Sequence, residues 1–426
     1  MADSAPMIAA EERQETPEVM ERKANTLVNY INKSKHIIVF TGAGISTSTG
    51  IPDFRGPEGV WTLRKQGRLR TSKAASTLQA IPSPTHMALV ELQDRDILKY
   101  VVSQNCDGLH RRSGILPDRI SELHGNSNLE HCKDCGKQYI RDFRAVSTFE
   151  KGIHDHRTGR KCALCGGILL DTIINFGEFL SAEPLQLARD HAKKADLCIA
   201  LGSSLTIPPA SEIPETVGKR KAANLVICNL QETPLDKSSS LRIFGKTDDL
   251  MERVMEKLSL PIPKFMVRRL LVIRIGSEAG RYSVKIEGVD VDGTPVTFLQ
   301  SVKLENNRRV VRAEPFTINL RDELEIGTRL KLVLEFMGHY GEPNLELSHL
   351  YDDAGAALAL YLLEYDPLLG QWTTTRQDPD KVPAASVQEV DSTAKGKEKA
   401  IPTEESGMPD NVKPSPATNA TSDHEA

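Results

Sequence analysis

Four cysteines constrain this chain more than any other feature. Cys132 and Cys135 form one C-x2-C pair and Cys162 and Cys165 a second, with 26 residues between the pairs. Each pair runs into glycine, Gly136 after the first and Gly166-Gly167 after the second, the residue that lets a tight turn close behind a thiolate. Two such turns can present four sulfurs tetrahedrally to one Zn²⁺. Four thiolates fill the shell, so the expected centre is structural and holds a small module together. His131, His154 and His156 lie near enough in sequence to compete as ligands, or are surface histidines of a polar insert. The N-terminus, MADSAPMIAAEERQE, has neither a basic start nor an apolar core, so no secretory signal is expected and the cysteines are expected to be reduced. Of the remaining three, Cys198 and Cys228 sit in apolar runs and read as inert core residues, and Cys106 is left over.

The 426 residues are enough for two or three domains. From residue 18 to 231 the pattern is α/β. Thr16-Pro17-Glu18 is a helix start, and Leu27, Val28 and Ile31 share a helical face. Residues 36–40 (HIIVF) read as a buried strand entering glycines. Further short apolar runs at 100–102, 197–201 (LCIAL) and 225–228 (LVIC), separated by helical stretches, suit a doubly wound parallel sheet of Rossmann type. From 266 to 365 the period changes to two: Tyr282, Val284 and Ile286 alternate with polar residues, Asp292-Gly293 is a hairpin turn, and Leu330, Leu332, Leu334 and Phe336 alternate again. This stretch is expected to be a separate all-β, sandwich-like domain without a catalytic constellation. Residues 1–17 are expected to be disordered. So is the tail 373–426, which follows the last aromatic residue, Trp372, and holds six basic and ten acidic side chains, 6 − 10 = −4, the whole net charge of the protein. The remainder is neutral, so any nucleic acid must be met locally. The longest apolar stretch, residues 356–363, is far short of the roughly 18 to 20 residues a membrane span needs, and no membrane partner is expected.

Two segments after predicted strands can carry chemistry. Thr41-Gly42-Ala43-Gly44-Ile45-Ser46 follows HIIVF directly, where glycines let backbone approach a pyrophosphate lying on the next helix's N-terminus, or simply make a turn. Residues 103–110 (SQNCDGLH) follow the second strand, with Glu122-Leu123-His124-Gly125 soon after. His124 reads either as a general base or as a structural histidine before a glycine.

Taken together, GAGIS at 42–46, IPDFRG at 51–56, SQNCDGLH at 103–110, LHGN at 123–126, the cysteine pairs, NFGE at 175–178, LGSSL at 201–205 and CNLQ at 228–231 stand in the order found in sirtuins. Over about residues 20–262 the chain resembles these NAD-dependent protein-lysine deacylases. The stretches GVWTLRKQGR, HRTGRKCALCG and FGKTDDLM give it the closest likeness to the chromatin-associated class IV branch, of the sirtuin-seven type. The resemblance implies a catalytic domain over 18–262 with a zinc module at about 126–172. It implies transfer of an acyl group from lysine to the ribose of NAD with release of nicotinamide. By motif, Ala43, Gly44, Ser46, Thr47, Asp53, Phe54 and Arg55 meet the phosphates and the nicotinamide side, with Trp61 on an ordered loop. Gln104 and Asn105 hold the ribose, Asp107 faces the carboxamide, and His124 is the base. Gly202, Ser203 and Ser204 meet phosphate, Asn229 and Gln231 the adenosine ribose, and Thr247 lies near adenine. Phe176, Gly177, Glu178 and Leu205 flank the peptide as an added strand. Implied partners are an acyl-lysine protein, such as a histone, and chromatin or nucleic acid, with the nucleus as compartment and the cytoplasm as the alternative. Protein mono-ADP-ribosyl transfer, or a chromatin or ribosome-biogenesis scaffold with weak catalysis, are the other readings. The all-β stretch and the acidic tail lie outside the resemblance, and Asn175 stands where the family has an apolar residue or histidine.

Overall fold

The computed structural model describes residues 11–378 except 69–75, 148–151, 153, 176, 279, 292, 306 and 353–357. Helix α1 (Pro17–Lys33) starts where Thr16 caps it, its hydroxyl accepting from Val19 N, with Pro17 in the first turn. Its buried stripe is Met20, Ala24, Leu27 and Ile31. Burying a side chain such as Leu27 stabilises by roughly 1.5–3 kcal/mol, which anchors the helix on the sheet. Then follow β1 (Ile37–Thr41), α2 (Val60–Lys65), α3 (Pro84–Asp94), β2 (Leu98–Ser103), α4 (Leu109–Ser113) and β3 (Ile120–Glu122). An insert of four short strands comes next, β4 (Leu129–Cys132), β5 (Gln138–Ile140), β6 (Arg157–Lys161) and β7 (Ile168–Asp171). The chain returns through α5 (Ala182–Lys194), β8 (Leu197–Leu201), α6 (Glu212–Gly218), β9 (Asn224–Cys228), β10 (Leu241–Ile243) and α7 (Thr247–Lys257).

The main sheet has the order β10-β9-β8-β1-β2-β3, and every pairing is parallel. Both faces are covered, which is why β1 and β8 are buried along their whole length and read as continuous apolar runs. Ile37 and Val39 pack with α1, α3 and α7 on one side, while Ile38 and Phe40 pack with Ala188, Ala192, Ile213 and Val217 of α5 and α6 on the other. The chain leaves β1 toward β2 and later returns to its other side as β8, so the strand order reverses between β1 and β8. Ligands of open α/β sheets bind at the carboxyl ends of strands at such a reversal. The insert forms its own antiparallel sheet, β5-β4-β7-β6.

The predicted period-2 region is a two-sheet β unit. It comprises β11 (Val267–Glu278), β12 (Arg281–Val289), β13 (Leu299–Leu304), β14 (Val310–Val311), β15 (Phe316–Asn319), β16 (Arg329–Phe336), β17 (Leu345–Leu350), β18 (Leu358–Asp366) and β19 (Gln371–Gln377). The sheets β15-β12-β11-β18-β19 and β14-β13-β16-β17 share one core that includes Val284, Ile286, Leu332, Leu334 and Phe336. At the expected hairpin turn Gly293 has φ 78°, and Asp292 lies outside the described residues.

Two expectations of disorder need correction at their edges. Residues 11–16 are tied to the segments that follow β9 and β10, with Arg13 N donating to Leu230 O at 2.9 Å and Glu15 N to Phe244 O at 2.9 Å. At the other end order runs past Trp372 to Gln377, because β19 completes backbone pairing with β18. Side-chain polarity concealed an edge strand whose support is its backbone ladder. Among the described residues no helix is long and apolar enough to cross a membrane.

Candidate functional site

The site is built where β1, β2 and β8 end. Gly42 N donates to Leu201 O at 3.0 Å and Gly44 N to Gly202 O at 2.8 Å, so the turns after β1 and β8 touch backbone to backbone. A Cβ on Gly42 would stand 2.7 Å from Gly202 O, and one on Gly44 2.7 Å from Gly202 Cα, so neither position admits a side chain. The segment after Gly42 differs from expectation. It forms two single 3-10 turns, Ala43–Ile45 and Thr47–Thr49, instead of an α-helix, because Gly50 turns left-handed at φ 85° and Pro52 follows. A dipole at a helix N-terminus is therefore absent here, and the cradle offers turn backbone and side chains.

Those turns are pinned from the β2 loop. Asn105 Nδ2 donates to Gly42 O at 3.1 Å. Ser46 Oγ donates to Asp107 Oδ2 at 2.7 Å, and Asp107 Oδ1 accepts from Leu109 N at 2.9 Å. Both carboxylate oxygens of Asp107 are thus engaged in holding the cradle. Gln104 differs, since its Nε2 is buried without a protein partner among the described residues. The same is true of Arg55 Nη2. Arg55 lies with its guanidinium 4.7 Å above the ring of Trp61, which also meets Phe54 at 5.2 Å, and burial pushes its pKa down despite the nearby Asp53. Asp53 Oδ2 accepts from Gly56 N at 2.9 Å and shapes this loop. An unpartnered buried guanidinium N–H and an unpartnered buried amide N–H cost free energy until an acceptor arrives. Together with a glycine cradle that excludes side chains, these donors fit an anionic dinucleotide.

The remaining expected cofactor contacts are near but occupied by protein. Asn229 Nδ2 donates to Gln231 O at 3.0 Å and Gln231 Nε2 to Arg55 O at 3.3 Å. Ser203 Oγ accepts from Leu205 N at 3.2 Å, and the hydroxyls of Ser204 and Thr206 lie 3.0 Å apart. Thr247 is buried at the start of α7, its hydroxyl accepting from Thr85 at 3.2 Å.

His124 stands between the sheet and the insert. A carbonyl can only accept, so the 3.0 Å contact of its Nδ1 with Gln104 O fixes the proton on Nδ1 and leaves the lone pair on Nε2. Its own carbonyl accepts from Cys106 Sγ at 3.2 Å and from Ile174 N at 3.1 Å. Burial lowers the imidazole pKa against the opposing pull of the Gln104 bond, so the ring is neutral at pH 7. Gly125 makes this approach possible: its φ is 81°, and a Cβ would fall 1.9 Å from Thr172 O. Gly125→Ala is expected to destabilise by more than 3 kcal/mol, since left-handed strain adds to a backbone clash. A thermal midpoint within two degrees of wild type would refute that reading.

Glu178 closes the other side. Its Oε2 accepts from Asn175 N at 2.6 Å, and its Oε1 lies 2.7 Å from His154 Nδ1 and 3.0 Å from His156 Nε2. The other nitrogen of His156 meets Asp171 Oδ1 at 2.8 Å. With carboxylates at both nitrogens, His156 has its pKa raised although burial works against it. His156 thus bridges Glu178 to Asp171 at the end of β7. Gly177 has φ 92° and Leu205 φ 53°; the Leu205 side chain is buried in the core cluster with Phe40 and Ala210, and Phe176 lies outside the described residues.

The four cysteines converge as the spacing requires. Their sulfurs all lie within 4.8 Å of one another, with Cys132 to Cys165 at 3.4 Å and Cys135 to Cys162 at 3.6 Å. Ligands about 2.3 Å from a tetrahedral zinc are about 3.8 Å apart, so the cluster fits that ion. Gly136 N and Gly166 N donate to Cys132 O and Cys162 O at 3.0 and 2.9 Å, making two matching turns. Tyr139 was missed in the sequence. Its hydroxyl accepts from Ala163 N at 3.0 Å and donates to Cys162 Sγ at 3.1 Å. Hydrogen bonds led by that one outweigh burial and draw the Cys162 thiol down to about 6.

A reversal-point cradle with unpaired buried donors, joined through a neutral histidine to a tetrathiolate insert, defines an α/β protein built for an NAD-type dinucleotide and a structural zinc. Comparison with known proteins gives the same class. Residues 70–209 match the Sir2 family model. The chain is 39% identical over 349 residues to the NAD-dependent protein deacetylase SRT1 of Arabidopsis thaliana, covering 75% of this chain and 72% of that protein. It is 42% identical over 264 residues to the NAD-dependent protein deacetylase sirtuin-7 of Bos taurus, covering 60% of this chain and 64% of that one. A solved Sir2 structure bound to a propionylated peptide is 32% identical, covers 56% of this chain and all of that chain, and has a TM-score of 0.43. The chain belongs to the Sir2 family, and a sirtuin-7-like, class IV assignment fits these relatives. It spans about two thirds of the length of several of these relatives.

Proposed function

We propose that this protein is an NAD-dependent protein-lysine deacylase in which His124 is the general base. The observation that carries the reading is the ring of His124, neutral, locked by Gln104 into the tautomer with a free Nε2, at the junction of cradle and insert. When bound, NAD supplies a leaving nicotinamide and a ribose that receives the acyl group. Arg55 and Gln104 then satisfy their buried donors on it, while Asn105 and Asp107 keep the glycine turn in place. His124 Nε2 takes a hydroxyl proton as the acyl carbon is captured, the step a base with pKa near neutral performs best. Gly177, Glu178 and Leu205 frame an extended peptide; Phe176, which belongs to the same motif, lies outside the described residues. The four cysteines hold zinc away from the chemistry. Residues 18–262 are the catalytic unit, and the β unit from 266 onward is an appended domain. By its class IV likeness the substrate is a histone or another nuclear protein, and the compartment is the nucleus.

The test is the fate of label from NAD carried on the adenylate. Label in a small acyl-ADP-ribose supports deacylation, and label fixed to protein supports mono-ADP-ribosyl transfer instead. The acidic limb of the kcat/KM profile should lie below pH 6.5, because burial lowers the base's pKa and protonation removes it. Glu122, raised to about 7 by burial and bonded to Asn126 at 2.8 Å, also titrates nearby. Glu122→Gln should leave the limb in place. If the limb moves with that substitution, Glu122 and not His124 sets it.

A further inference from the structure

The β unit touches both the main-sheet domain and the cysteine insert. On the sheet side its contact is α4, the helix directly after Asp107. Arg112 of α4 donates through Nη1 to the hydroxyl of Tyr340 at 2.6 Å and to Leu78 O at 3.1 Å. Through Nη2 it donates to Thr77 O and to Asp107 O, the latter at 3.2 Å. On the insert side, Arg269 of β11 donates through Nε to Asp142 Oδ2 at 3.0 Å and lies 3.4 Å from Glu342. Glu342 also accepts from Tyr340 N at 2.9 Å, so one loop between β16 and β17 serves both contacts. The Arg269 side chain is 4% exposed and that of Glu342 0%, which makes this a packed joint and not a surface pairing. Met87 of α3, Phe265, Val267 and Tyr365 form the apolar floor beside it.

Asp107 links the joint to the site, since it is the residue whose Oδ2 holds Ser46 of the cradle. We propose that Tyr340 is a positioning residue for the NAD cradle, acting through Arg112 on Asp107 and thence on Ser46; the inference rests on the NAD reading above. A guanidinium needs fixed acceptors to hold a fixed place, and Arg112 Nε already lacks a protein partner among the described residues. Burial raises the Tyr340 pKa, so its hydroxyl stays protonated and accepts from Arg112. Removing that acceptor leaves Nη1 with Leu78 O alone and loosens the fork whose Nη2 supports Asp107 O.

The test uses the full chain with Tyr340→Phe, which keeps the ring and deletes the hydroxyl. ADP-ribose binding by calorimetry should weaken about tenfold, and amide exchange should quicken over residues 104–113. KM for NAD should rise with KM for acyl-peptide and kcat unchanged. Arg112→Lys should behave alike, because a single ammonium cannot reach acceptors spread across a fork. Leu332→Ala, which loosens the β core without touching Tyr340, supplies the comparison. Equal ADP-ribose affinity and exchange in Tyr340→Phe and wild type would overturn the inference. So would a loss of affinity that Leu332→Ala matches at the same thermal midpoint, for then the effect is general destabilisation. A wild-type chain that fails to bind ADP-ribose overturns the NAD reading and this inference with it, whereas binding by wild type and variant alike overturns the inference alone.

Discussion

His124→Ala is expected to lower NAD-dependent deacylation by about 10² to 10⁴, the range lost with a general base. Folding should survive. The ring contributes one hydrogen bond to Gln104 O, worth about 1 kcal/mol, and the local backbone is held independently by the bonds of Cys106 and Ile174 to the His124 carbonyl. ADP-ribose affinity should therefore stay within a fewfold of wild type while turnover collapses. The decisive measurement is single-turnover deacylation of an acetyl-lysine peptide at saturating NAD. Near-normal turnover by the variant would remove His124 from the mechanism, and collapse accompanied by lost ADP-ribose binding would assign it a structural role.

Zinc removal is the second large effect, and it acts through folding. The insert's own buried apolar cluster is small, essentially Tyr139 and Leu169 beside Cys132 and Cys162. So small a core cannot offset the entropy of ordering four short strands, and the metal must supply the difference. Chelation, or Cys162→Ala, should cost several kcal/mol, which at 2–4 °C per kcal/mol lowers the thermal midpoint by about 10 °C. Activity should fall with it, because Thr172 and Ile174, which contact Gly125 and His124, leave the insert through β7. One zinc per chain by metal analysis is the companion result. Active, untreated protein without zinc would contradict the assignment of the four cysteines.

Much of this was legible in the sequence because it depends on local pattern. The apolar runs of β1, β2, β8 and β9 are buried on both faces and so announce themselves without periodicity, and the alternation of β16 declares a sheet with one core face. The cysteine pairs carry their own geometry. What escaped depends on partners far away in the chain. No local pattern marks Arg112; its partner Tyr340 lies 228 residues on. His156 looks like a surface residue until Asp171 and Glu178 bracket it. Asp107 matched a motif, yet the motif could not say that both its oxygens serve the protein's own cradle. The 3-10 turns after Gly42 and the edge strand β19 escaped for a different reason: each is held by backbone bonds that composition does not encode.

The strand order has a consequence for how the protein comes into being. β1 pairs Ile37 with Leu197, so the cradle needs partners 197 − 37 = 160 residues apart. Closing a loop of that length costs about 4.5 kcal/mol in chain entropy beyond a constant. On a translating ribosome the first strand therefore emerges long before its neighbour exists, with the whole cysteine insert synthesised in between. A nascent chain arrested short of residue 197 has Gly42 and Gly44 but nothing for them to rest against. Nucleotide capture becomes possible only once β8 has cleared the exit tunnel, and the insert, complete at Asp171, has by then had the time taken to make the chain through Leu201 in which to fold first.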